Sequence, residues 1–141
     1  MKKRIKINAI VLVCILMLSV ISIYSVPKLR VSLFVNTYHE LIEEGLNAGH
    51  GVPADDAVFL GYKSVNSWDN THPMTEFIIM CVGNTYYGCY YSADDVPLAF
   101  QNTDTALTPE GDNCWQWVSD GDNRGETSRI IDYWYFFKAS F

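Results

Sequence analysis

The carboxyl-terminal run from Thr127 to Ala139 restricts the folds open to this chain more than any other segment. Read with the two-residue period of a strand, Ile131, Tyr133, Tyr135 and Phe137 share one side, and Asp132, Trp134, Phe136 and Lys138 share the other. Both sides are largely apolar. Such a strand belongs inside a sheet, with a helix on one face and something else on the second. At an open edge it would template association, and no proline interrupts it. With 14% aromatic residues, most of them after residue 58, the chain has enough apolar surface for one core.

Ala57 to Val65, Met74 to Val82, Thr85 to Ser92 and Asn113 to Ser119 are also rich in β-branched and aromatic residues, with turn formers between them. With Thr127 to Ala139 they predict an antiparallel meander. Gly83-Asn84 suits a two-residue II′ hairpin, because glycine supplies the positive φ of its first central position. That loop sets Val82 opposite Thr85, Cys81 opposite Tyr86 and Ile78 opposite Cys89, so Cys81 and Cys89 lie on opposite faces and cannot bridge. A loop one residue longer returns them to one face, which leaves the pairing of Cys81, Cys89 and Cys114 open. Asp120 to Gly125 reads as a longer hairpin loop.

Ahead of the strands, Val31, Phe34, Val35, Tyr38, Leu41, Ile42 and Gly45 recur at spacings of three and four, opposite Ser32, Asn36, His39, Glu40 and Glu43. This is an amphipathic helix for packing on a sheet, ended by Asn47 to Pro53. Pro27 either kinks it from what precedes or opens it afresh in the first turn.

The 20 residues from Ile7 to Val26 are apolar except for Asn8, Ser19, Ser22 and Ser25, and follow Lys2, Lys3, Arg4 and Lys6. As a helix the run is about 30 Å long, the thickness of a hydrocarbon core. The positive-inside bias then keeps the amino terminus in the cytoplasm. The rival reading is a cleaved secretory signal, whose small-residue cleavage sites are poorly placed here. The expected class is therefore α+β: an N-terminal transmembrane helix, then one amphipathic helix packed on a four- to five-stranded antiparallel meander sheet. Residues 1–26 form the basic tail and anchor, and residues 27–141 a single extracytoplasmic domain at the cell membrane.

All 16 acidic residues but only six of the ten basic ones lie beyond Val26, a net charge of −10. That balance disfavours nucleic acid, whose phosphates need Lys and Arg clusters, and favours cationic partners. The segments Thr85 to Ser92, Asp94 to Pro97, Gly121 to Asn123 and Ile131 to Phe141 resemble small membrane-anchored proteins of Gram-positive bacteria. The resemblance implies a location and a self-contained unit, and carries no activity.

Reactive residues are sparse. His39 and Glu43 stand one helical turn apart, as two metal ligands would, but the second histidine of a zinc hydrolase motif is missing. The Asp120 loop has Arg124 in a ligand position and Ile131 where a calcium loop places its Glu. Cys81, Cys89 and Cys114 sit in apolar contexts without electropositive neighbours. No catalytic residue, metal ligand or cofactor is assigned. Binding is the better reading: Trp115 and Trp117 project from one strand face, inward as packing or outward as an aromatic shelf. Trp68 lies in a loop, and Tyr87 and Tyr91 add amphipathic rings. Trp68, Trp115, Trp117, Tyr87 and Tyr91 are the ligand-binding candidates, for a partner protein, a cationic peptide or a glycan. The alternatives are a small envelope hydrolase using Cys or His, and an accessory subunit of a larger membrane complex.

Overall fold

The computed structural model describes residue 13 and residues 26–52 and 61–141. Helix α1 (Pro27–Asn47) opens with its proline in the first turn, where the missing N–H has no intrahelical partner to lose. Val31, Phe34, Val35 and Ile42 form its buried stripe, while Leu41, expected on that stripe, is 58% exposed. The helix ends where Gly49 turns left-handed, at φ 71°, and the His50 N–H returns to the Gly45 carbonyl.

Seven strands follow: β1 (Ser64–Trp68), β2 (Met74–Val82), β3 (Thr85–Ser92), β4 (Thr108–Gly111), β5 (Cys114–Val118), β6 (Arg124–Ile131) and β7 (Trp134–Ser140). They make one antiparallel sheet in the order β1-β2-β3-β7-β6-β5-β4. Two meanders, β1 to β3 and β4 to β7, are thus joined through their members β3 and β7. To pass from β3 to the far edge at β4 the chain must cross the sheet, and residues 93–107 do so as a strap over the face opposite α1. The strap includes the short 3-10 turn Phe100–Asn102.

Each face has its own core. Val31, Phe34, Val35 and Ile42 of α1 meet Tyr62, Phe77, Ile79, Cys89, Trp134 and Phe136 on one side. Leu98, Ala99 and Phe100 of the strap meet Met74, Ile78, Tyr90, Trp117, Tyr135, Phe137 and Ala139 on the other. The β7 strand feeds both cores, as its two apolar faces require.

Three expectations are corrected. The sheet has seven strands, not four or five, because Thr127 to Ala139 is two strands and because β4, carrying Pro109, pairs at an edge. The first of these changes has a visible cause: Asp132-Tyr133 forms a tight turn with Tyr133 at φ 65°. The Tyr133 N–H donates to Asp95 Oδ1 at 2.7 Å and its carbonyl accepts the Ser92 N–H at 2.8 Å, so contacts from β3 and the strap hold a conformation its side chain disfavours. Second, the connectivity is two meanders and a crossing rather than one meander. Third, among the described residues no helix is long and apolar enough to cross a membrane. The expected transmembrane span over residues 7–26 falls outside the described residues apart from Val13 and Val26, so the single-pass, membrane-anchored placement is not a property of this structure. The start of the strand expected from Ala57 also lies outside them; β1 begins at Ser64.

The β2–β3 hairpin follows the expected turn, with Gly83 at φ 57° and Val82 opposite Thr85. A bulge at Ile79 then shifts the pairing, so that Phe77 rather than Ile78 opposes Cys89. Cys81 and Cys89 still pack on opposite cores, and Cys81, Cys89 and Cys114 are free thiols. Behind the bulge, Gly88 accommodates the Phe137 ring: a Cβ there would stand 2.8 Å from ring carbons and 1.9 Å from the Phe77 carbonyl oxygen. Gly88→Ala is expected to destabilise the domain by about 3 kcal/mol, the upper end for overpacking. Gly83→Ala, strained but unobstructed, should cost about 1 kcal/mol. Urea denaturation of the two variants checks the order.

Candidate functional site

Where β1 ends, β2 begins and β3 ends, the carboxyl-terminal turn of α1 stands over the sheet. Between them lies a groove of about 320 Å³, lined by Leu46, Asn47, Trp68, Asp69, Pro73 and Tyr91 among others. Register builds it: Ser67 opposes Thr75, and Thr75 opposes Tyr91, so these three share the helix face of the sheet. Trp68, one residue on, points to the strap side, packing beside the second core with its indole Nε1 buried and unpaired.

The electrostatics of the groove are one-sided. Helix carbonyls accumulate partial negative charge at the carboxyl end, and basic side chains in the last turn commonly answer it. α1 has none there. The exposed Asp69 adds a full negative charge to the rim. Glu43, one turn before Asn47, accepts a 2.7 Å hydrogen bond from the buried Trp134 indole. The Tyr91 ring packs between Trp134 and Tyr133, at centroid distances of 5.6 and 6.1 Å. Its phenol is held above its ordinary pKa by partial desolvation first, then by the charges of Glu43 and Tyr133. Carboxylates beside aromatic faces at a helix carboxyl terminus make a setting for a cation.

Of the five aromatic candidates, the structure brings Trp68 and Tyr91 onto this groove and places the others elsewhere. Trp117 is 4% exposed in the strap-side core, and Trp115 packs beside it at 6.2 Å from Tyr135, so the pair points inward. Tyr87 packs on the helix-side core. Trp68 closes β1 rather than lying in a loop; Glu43, weighed above with His39 as a metal pair, instead accepts from Trp134, and Asp69 escaped the sequence reading. No family model, curated protein or solved structure matches the chain.

The remaining reactive groups are dispersed. His72 Nδ1 pairs with Asp94 at 2.9 Å on the surface, and His39 Nδ1 lies 3.1 Å from the Val35 carbonyl of its own helix. Burial pushes the Cys89 thiol well up, with the Glu76 charge adding to it. Among the described residues no three His, Cys, Asp or Glu side chains converge as a metal site.

The Glu43 contact gives a test of how Trp134, on which the Tyr91 ring of the groove packs, is held. Glu43→Ala leaves the Trp134 N–H without its acceptor and is expected to destabilise the domain by about 1–3 kcal/mol. Glu43→Gln should restore most of that loss and lower the Tyr91 pKa, since the acceptor stays and the charge goes. Denaturant titration and ultraviolet titration of the phenols read the two effects.

Proposed function

We propose that this chain is a binding module, without a catalytic role, whose groove at the end of α1 receives a cationic side chain of a partner peptide. The observation that carries the reading is the coincidence, in one concave site, of a helix carboxyl terminus lacking any basic residue, the Asp69 carboxylate and the Tyr91 ring, with Trp68 in the wall. A guanidinium or ammonium there gains from the helix dipole, from the carboxylate and from an aromatic face at once. The acidic balance of the chain draws such a partner in from a distance. A neutral glycan would use the rings and leave the charges unanswered, so the cationic peptide is favoured among the ligands considered.

Each of these contacts is worth about 1 kcal/mol, so one side chain alone binds weakly and residues flanking it supply the rest. The expected outcome is that an Ac-Gly-Arg-Gly-amide peptide quenches or shifts tryptophan emission and competes with its Lys counterpart, while the Gln counterpart binds at least tenfold more weakly. Asp69→Asn should weaken Arg peptide binding about five- to tenfold, and raised salt should weaken it in the unaltered protein. Equal affinity for the Arg and Gln peptides would remove the reading.

A further inference from the structure

Glu76 is the only buried acidic or basic side chain among the described residues. It sits on β2, the strand next to edge strand β1, between Asn66 of β1 and Tyr90 of β3, and is 0% exposed. Its Oε2 accepts the Gln101 N–H at 3.0 Å, and its Oε1 is buried with no hydrogen-bond partner. The residue it grips lies in the tightest part of the strap: Gln101 and Asn102 have φ of 55° and 51°, both left-handed without being glycine. Asn102 in turn holds the loop that walls the groove. Its side-chain amide donates to the His72 carbonyl at 2.7 Å, and its own carbonyl accepts from Asn70 Nδ2 at 3.1 Å. Glu76, the strap and the groove wall are therefore one chain of contacts.

Burial pushes the Glu76 carboxyl up from its ordinary value to about 7, against the pull of the Gln101 N–H and, more weakly, of the neighbouring Asn66 amide, which stands outside hydrogen-bond geometry with Oε1. The groups facing it do not compete for the proton in that range. Asn66 and Gln101 are uncharged, and desolvation pushes the Cys89 thiol and the Tyr90 phenol of β3 upward, which keeps both neutral. Tyr135 of β7, stacked on Tyr90 at 5.2 Å, is likewise held up by desolvation first. An ionised carboxylate with one dry oxygen is relieved when water reaches it. β2 cannot yield, since β1 and β3 pair with it on both sides. The strap can: Gln101 is exposed and lines a second cavity of about 320 Å³ with Ile78, Tyr86, Phe100 and Phe141.

We propose that Glu76 is a protonation-controlled latch on the strap and, through Asn102, a regulator of the groove. With the carboxyl neutral, the strap is clamped and the 69–73 loop keeps the groove formed. Ionisation admits water, frees Gln101 and Asn102 and slackens the wall that carries Asp69. Because the folded pKa is raised, the stability given by the neutral form is complete below the ordinary value of 4.5 and is lost as pH rises through about 7. The regulatory half rests on the groove being the binding site; the latch itself does not.

Amide exchange of the full chain between pH 5.5 and 8.5, corrected for intrinsic rates, tests it. Protection at Gln101 and Asn102 is expected to fall at least tenfold with a midpoint near 7, and to be flat in Glu76→Gln. His72→Gln, which removes the surface pair with Asp94, should keep the wild-type profile. If Glu76→Gln does not fold, the Glu76 carboxyl carbon in the unaltered protein must titrate together with the Gln101 amide. Protection that ignores pH, or a carboxyl that titrates at its ordinary value, overturns the latch. Affinity for the Ac-Gly-Arg-Gly-amide peptide should be three- to tenfold weaker at pH 8 than at pH 6 and pH-independent in Glu76→Gln. A strap that titrates while affinity stays constant overturns the regulation. Absence of peptide binding at every pH overturns the groove reading, and the exchange data then judge the latch alone.

Discussion

Everything in this fold follows from a strand that is apolar on both sides. Trp134 and Phe136 on one face of β7, and Tyr135 and Phe137 on the other, are each no more than 2% exposed. Burying such large side chains contributes about 1.5–3 kcal/mol apiece, and only a layer on each face realises it. α1 is one layer, laid against β3 and β7. The other costs no additional element, because the chain has to cross the sheet to reach β4 and covers the second face in crossing.

The strap has little regular structure of its own, so polar contacts fix it in place. The Tyr90 hydroxyl accepts the Leu98 N–H at 2.7 Å and lies 2.8 Å from Thr127 Oγ1, tying the strap to β3 and β6. Arg129 pairs with Asp95, whose carboxylate also receives the Tyr135 hydroxyl and the Tyr133 N–H. Both anchors lie on the amino-terminal side of the Glu76 clamp, so an opening there stays local while that half of the strap remains attached. The same arrangement separates the roles of the two acids: Asp95 is met by a cation, and Glu76 is met by neutral donors alone.

Much of this was written in the residues. The helix over Pro27 to Asn47, the Gly83-Asn84 hairpin, the opposite facing of Cys81 and Cys89, and the interior position of the terminal aromatic strand all follow from period and turn chemistry. The turn at Asp132-Tyr133 did not show, because its left-handed residue is a tyrosine held by Asp95 and Ser92 from far along the chain. β4 was hidden by its proline and its shortness, which edge strands tolerate. For the groove, Tyr91 was legible as an amphipathic ring, and Trp68 as a loop aromatic although it closes β1. Their meeting with Asp69 and the end of α1 depends on the packing of helix on sheet, which local pattern does not encode. Glu76 had a signal that went unread, a single carboxylate inside the apolar run Met74 to Val82.

That β7 lies between two layers is tested most directly by through-space nuclear Overhauser contacts between assigned side chains. Phe137 should contact Phe100 of the strap, whose ring centre is 5.1 Å away, while the Phe136 ring contacts Lys28 of α1, 5.5 Å from its centre, in the same folded species. Strap resonances that show no contact with Tyr135 or Phe137, leaving those rings open to solvent, would contradict it.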